Sequence, residues 1–138
     1  MIPFKSPWQS YRRVAMETAP SGQLVLMLFD GALRFLEQSL QGFAREDDPL
    51  EYNRTFNNNV QRAQAILHEL NDCLDMERGG ELSATMRALY DYMDRRLQQS
   101  NVTKTPEGIR EVIGRVSVLR DAWREMLCKE PAAAAVPA

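Results

Sequence analysis

The sequence has few of the residues from which most metal and catalytic sites are built. It contains one histidine, His68, and two cysteines among 138 residues, so a metal site with several histidine ligands is excluded. A di-metal site in a helical bundle needs a Glu-x-x-His motif on each of two helices, but Ala65 stands three residues before His68. The sequence also has no Gly-rich phosphate loop and no nucleophile elbow. These absences favour a binding protein over an enzyme, and they imply no cofactor.

Basic residues and long apolar runs are also scarce. The chain has 17 Lys and Arg against 19 Asp and Glu, a net charge of −2, whereas proteins that neutralise nucleic-acid phosphates usually have a basic excess. No apolar run approaches the ~20 residues of a membrane span, and residues 1–13 do not resemble a secretory signal. We therefore expect no nucleic-acid binding, no membrane insertion and a cytoplasmic location. In that reducing compartment Cys73 and Cys128 should be two partly buried thiols.

The apolar residues recur at steps of three and four, and no segment alternates with the period of a strand. This pattern predicts four helices over about residues 21–45, 48–75, 81–100 and 105–128, with apolar stripes that include Phe56 and Val60, Leu97, and Trp123 in the last three. Asp48 and Pro49, followed by Glu51, have the form of an N-cap, a first-turn proline and a capping-box glutamate at the start of the second helix. Short connections make successive helices antiparallel neighbours. The predicted fold class is all-α, an antiparallel up-down-up-down four-helix bundle with a short N-terminal helical arm. The bundle would occupy residues 21–128, the arm residues 1–20, and a disordered tail residues 129–138.

Three features of the helices and their connections go beyond this outline. Gly79-Gly80 is the sharpest helix stop in the sequence, because glycine adopts the left-handed conformation that closes a helix. In the first helix, the apolar residues cover roughly 200° of the helical wheel at 100° per residue, although a surface helix needs only ~100°. Either another element or a partner must cover the excess. Gly31, inside this helix, would permit close approach of a neighbouring helix or of a bound chain.

Three motifs resemble those of a known family. LDMERGGE from Leu74, LYDYM from Leu89 and MLFDGALRFL from Met27 resemble the FliS-type flagellin secretion chaperones, with Phe29 where a tyrosine is commoner. The resemblance covers roughly residues 11–127. It implies a cytosolic helical bundle that holds the disordered C-terminal segment of flagellin, prevents its premature polymerisation and supports delivery to the type III export gate. It implies no enzymatic activity, no nucleotide and no metal, and a monomer or a weak homodimer.

The resemblance also suggests which residues bind the partner. The positions carried over from the motifs and from the arm are Tyr11, Leu24, Met27, Leu28, Gly31, Phe35, Tyr90 and Tyr92. Tyr90 and Tyr92 flank the apolar stripe of the third helix on opposite sides, so either could line a groove or simply pack at the boundary. We further hypothesise that the aromatic arm covers the apolar groove, with Tyr11 as its anchor, when no partner is bound.

Two other functions stay open on sequence grounds. Histidine phosphotransfer domains are four-helix bundles with one exposed histidine, and His68 could take that role. However, Glu69 and Asp72 follow it, and two acids would repel an incoming phosphate. Alternatively, the excess apolar surface could be buried in a structural homodimer.

Overall fold

The computed structural model describes residues 21–45 and 48–129. Four helices account for most of them: α1 Ser21–Gln41, α2 Pro49–Asp72, α3 Gly80–Thr103 and α4 Glu107–Lys129. A 3-10 turn, Gly42–Arg45, follows α1. No strand occurs within these residues, so the predicted all-α class is confirmed. The predicted arm lies outside the described residues, as does the predicted tail from residue 130 onward.

Hydrogen bonds between the helices show that neighbours run antiparallel. Along α2 and α3, Asn57 pairs with Asn101 at 2.8 Å, and Asn71 pairs with Asp91 at 3.0 Å. The residue number therefore falls on α3 as it rises on α2. Trp123, near the end of α4, donates to the carbonyl of Gly22, near the start of α1. That bond joins the fourth helix to the first and confirms the predicted up-down-up-down order.

The core runs along the axis of this bundle. Each helix contributes side chains that are almost completely buried, because its apolar residues recur on one face. They include Leu28 and Leu36 from α1, Phe56 and Val60 from α2, Met93 and Leu97 from α3, and Ile109 and Val112 from α4.

Two local predictions about helix ends had different outcomes. Asp48 caps α2 by accepting a hydrogen bond from the Glu51 amide, and Pro49 is the first helical residue, as predicted. The diglycine, in contrast, does not end α2, which stops at Asp72. Gly79 instead precedes α3. Gly80 is the first residue of α3, and its φ is 53°. The glycines therefore open the third helix, because the intervening loop needs the left-handed conformation there.

The two ends of the bundle differ in how they are filled. At the end where α1 finishes and α2 begins, Phe43 packs edge-on against Phe56 and Tyr52, with ring centroids 4.9 and 5.6 Å away. We call this the aromatic end. At the other end, where α1 begins and α4 finishes, the helices enclose a cleft, and we call this the cleft end.

Candidate functional site

The cleft lies between all four helices and has a volume of about 370 Å³. It is bordered by the start of α1, the end of α2, the start of α3 and the end of α4. None of the described residues that line it has a charged side chain. Its apolar walls are formed by Val25, Phe29, Leu70, Leu74, Leu82, Met86, Tyr90, Leu119, Trp123 and Met126.

Local hydrogen bonds hold the walls of the cleft in place. The Trp123 Nε1 donates to the Gly22 carbonyl at 2.7 Å, which fixes the indole ring between α4 and α1. The Ser83 hydroxyl donates to the Asp75 carbonyl at 2.9 Å and ties the start of α3 to the preceding loop. Both polar groups are therefore satisfied within the protein, and the cleft presents mainly carbon atoms.

The rim of the cleft carries apolar side chains that the free protein leaves in water. Leu82 is 70% exposed and Met126 is 42% exposed. Nearby, Met76 in the loop before α3 is 40% exposed. Single exposed apolar residues are common, but a group of them around an apolar cleft is typical of a binding site.

Tyr90 is the most buried polar residue among the described residues that line the cleft. The residue is only 4% exposed, compared with 6% for Ser83. Burial, together with the neighbouring Cys73 thiol, raises the pKa of Tyr90 to about 12. The hydroxyl therefore stays protonated at any physiological pH and can donate a hydrogen bond.

A charged cluster lies beyond the cleft between α3 and α4. The Tyr92 hydroxyl donates to Glu111 at 2.6 Å, and Arg96 and Arg115 donate at 2.8 and 3.0 Å. These hydrogen bonds, led by that from Tyr92, lower the pKa of Glu111 to about 2. The Arg115 guanidinium also lies 5.1 Å from the Tyr92 ring. The cluster joins two helices and leaves the Glu111 carboxylate fully bonded.

The residues that the family resemblance suggested fall into separate places. Tyr90 lines the cleft, and Tyr92 belongs to the charged cluster. Leu28 is 1% exposed and Gly31 is buried. A Cβ on Gly31 would lie 3.2 Å from the Ile66 side chain, so this glycine permits the close approach of α2. In this conformation neither residue offers surface to a partner.

The remaining suggested residues lie at the edges of α1 or outside the described chain. Leu24, Met27 and Phe35 are half-buried. The Arg62 guanidinium of α2 lies 5.8 Å from the Phe35 ring. Tyr11 falls outside the described residues. Partner binding by these residues stays a prediction.

Of the residues that line the cleft, Tyr90 was suggested as a partner-binding residue from the sequence, and the others were not assigned to a site. Val25 and Phe29 belong to the wide apolar arc of α1, but the arc did not indicate which part remains open. Trp123 was assigned to an apolar stripe, and its bond to α1 had no signal in sequence. The two thiols were expected to be partly buried, which was wrong, because Cys73 and Cys128 are both exposed.

Further features of the described residues concern metal binding, phosphotransfer and membrane crossing. Residues 21–45 and 48–129 contain no group of three or more His, Cys, Asp and Glu side chains that could hold a metal ion. His68 Nε2 lies 3.0 Å from Asp94 Oδ1, so the nitrogen that would accept a phosphoryl group faces a carboxylate. None of the four helices combines the length and apolarity that a membrane crossing requires.

The described residues form a four-helix bundle with an apolar cleft at one end, and this fold places the protein in the class of small helical bundles. The family described as flagellar protein FliS matches residues 4–130, and the chain belongs to this family of flagellar secretion chaperones. It is 40% identical over 126 residues to the flagellar secretion chaperone FliS of Bacillus subtilis, which covers 91% of this chain and 90% of that relative. It is 33% identical over 122 residues to FliS of Salmonella typhimurium, over 86% and 87% of the two chains.

Proposed function

We propose that the cleft binds an apolar part of the disordered C-terminal segment of flagellin. Held in this way in the cytoplasm, flagellin would not polymerise prematurely and would be delivered to the type III export gate. The observation that carries this proposal is the apolar cleft between all four helices, with exposed Leu82 and Met126 at its rim. Membership of a family of flagellar secretion chaperones supports it.

The size and chemistry of the cleft suit such a client. Ordering a disordered segment costs about 2–5 kcal/mol or more, and burial of one large apolar side chain contributes about 1.5–3 kcal/mol. Two or three client side chains placed in the cleft would therefore offset the ordering cost. The remaining affinity would come from contacts of the segment with the outer faces of the helices.

The test is calorimetric titration of the full chain with the C-terminal segment of flagellin from the same organism. We expect binding with a negative heat-capacity change, which marks burial of apolar surface. Leu82→Asp should weaken binding about tenfold or more, because loss of one buried leucine contact is worth at least ~1.4 kcal/mol.

Leu50→Asp is the matched control. Leu50 and Leu82 are 67% and 70% exposed, and each lies in the first turn of its helix. An aspartate there is compatible with the helix dipole, so both variants should fold. Leu50 belongs to the aromatic end, and its replacement should leave the affinity unchanged.

Two outcomes would contradict the proposal. Equal weakening by both substitutions would mean that the cleft is not the binding site. If the unmodified protein does not bind the segment, the homodimer and phosphotransfer alternatives take its place. Sedimentation across a concentration series would then test the homodimer, and acid-labile phosphate on His68 would test phosphotransfer.

A further inference from the structure

The Tyr90 hydroxyl differs from the other polar groups around the cleft. The Ser83 hydroxyl and the Trp123 indole N–H each donate to a carbonyl of this chain. The Tyr90 hydroxyl has no hydrogen-bond partner among the described residues, although the residue is only 4% exposed. Only Asn59 Oδ1 and Ser100 Oγ among the described side-chain atoms are both sealed from solvent and unpaired. The Tyr90 hydroxyl is therefore not sealed from solvent, and Tyr90 is one of the residues that line the cleft.

An unpaired hydroxyl in this position affects what can enter the cleft. Buried tyrosine hydroxyls usually have a hydrogen-bond partner. In the free protein a cleft of about 370 Å³ has room for water, whose share of liquid volume is about 30 Å³. A purely apolar occupant would displace that water and leave the hydroxyl without a partner. An occupant that brings an acceptor to the same depth would replace the lost bond.

The surroundings define the chemistry of that acceptor. The hydroxyl is protonated at neutral pH, so it acts as a donor. Among the described residues, no cationic side chain lines the cleft, and a carboxylate brought there would lose its hydration without a counter-ion. A neutral carbonyl oxygen meets both conditions. Backbone carbonyls at a helix end or turn, and the side-chain amides of Asn and Gln, provide such an oxygen.

We propose that Tyr90 determines the specificity of the cleft by donating a hydrogen bond to a neutral carbonyl oxygen of the bound segment, while the surrounding walls hold its apolar side chains. This inference rests on the proposed function, since it assumes that a segment of flagellin occupies the cleft. It adds that the segment is selected for an apolar stretch interrupted by a carbonyl acceptor and that hydrophobicity by itself does not suffice.

The test compares Tyr90→Phe with the unmodified protein in the titration with the flagellin segment. Removal of one neutral hydrogen bond should weaken binding about tenfold. The midpoint of urea unfolding of the free protein should stay the same or rise, because the hydroxyl has no partner to lose. Tyr52→Phe is the control, since Tyr52 packs at the aromatic end and its replacement should not change the affinity.

A double-mutant cycle separates a direct bond from an indirect effect. Each Asn and Gln of the flagellin segment is replaced by a similar apolar residue, and each peptide is titrated against both proteins. If the acceptor is a side-chain amide, one replacement should weaken binding to the unmodified protein but not to the Tyr90→Phe protein. If no replacement in the peptide has this effect, but Tyr90→Phe still lowers the affinity about tenfold, the acceptor is a backbone carbonyl.

The remaining outcomes distinguish the two proposals. Unchanged or tighter binding by Tyr90→Phe, with weakened binding by Leu82→Asp, would overturn the role of Tyr90 and leave the proposed function standing. Loss of affinity that is accompanied by an equal loss of stability would mean a structural role and would also overturn it. Unchanged binding by both variants would overturn the proposed function itself.

Discussion

Replacement by alanine at two glycines of α4, Gly114 and Gly108, should change the free energy of unfolding in opposite directions. Gly114 lies in the interior of the helix and is exposed, and a Cβ added there would meet no other atom within 4 Å. Its φ is not positive. Gly114→Ala should therefore raise the free energy of unfolding by about 0.5–1 kcal/mol, because alanine loses less backbone entropy when the helix forms.

Gly108 is the matched comparison, because it is buried at the crossing of α4 with α3. A Cβ at this position would overlap the Ser100 hydroxyl and lie 3.0 Å from the Arg96 carbonyl oxygen. The hydroxyl can rotate, but the carbonyl belongs to the backbone of α3 and cannot. Gly108→Ala should force the two helices apart and lower the free energy of unfolding by about 1–3 kcal/mol, as overpacking does.

Thermal and urea unfolding followed by circular dichroism measure both changes. For a chain of this length a gain of 1 kcal/mol corresponds to about 3 °C in Tm, so Gly114→Ala should melt a few degrees higher and Gly108→Ala should melt lower. Destabilisation by Gly114→Ala would refute the exposed position of that residue. Tolerance of Gly108→Ala would refute the close approach of α3 and α4 at Ser100.

The remaining predictions concern acid stability and the arm. A pKa of Glu111 lowered from 4.5 to about 2 gives stability that is present above pH 4.5 and lost as the pH falls toward 2. The stability difference between the unmodified protein and Glu111→Gln should therefore shrink across that window in urea unfolding, and a constant difference would contradict the hydrogen-bonded cluster. The chain enters α1 at Ser21, on the same side as the cleft residues Val25 and Phe29. If the arm covers the cleft, deletion of residues 1–17 should tighten binding of the flagellin segment or speed its association. Unchanged binding kinetics would contradict the hypothesis that the arm covers the cleft.

The course of the helices could be predicted from sequence because it depends on local patterns. Steps of three and four placed Phe56, Val60 and Leu97 in the core, and the Asp48-Pro49 pair marked the start of α2. The diglycine was assigned to the wrong helix, because a left-handed residue can precede a helix as well as follow one. The sequence indicates which residue can adopt this conformation, but it does not indicate whether that residue ends the preceding helix or begins the following one.

The cleft could not be predicted, because it depends on segments that are far apart in the chain. Periodicity shows which face of α1 is apolar, but the space in front of Phe29 depends on where Leu74, Met86 and Trp123 come to lie. Tyr90 illustrates the limit. Its angle on the wheel was compatible with either a boundary or a groove, and only the packing of four helix ends shows that it is buried and lines the cleft.

The difference between the two ends of the bundle indicates where binding energy is available. At the aromatic end, Phe43, Tyr52 and Phe56 fill the space between the helix ends. At the cleft end, the small Ser83 lies in the wall and Leu82 is exposed to solvent. Protein interiors are normally close-packed, so the described residues make fewer contacts around the cleft than they would around a filled core. An occupant that fills this space recovers the missing contacts without any rearrangement of the aromatic end. Substitutions around the cleft should therefore act mainly on affinity, whereas substitutions in the three aromatic rings should act mainly on stability.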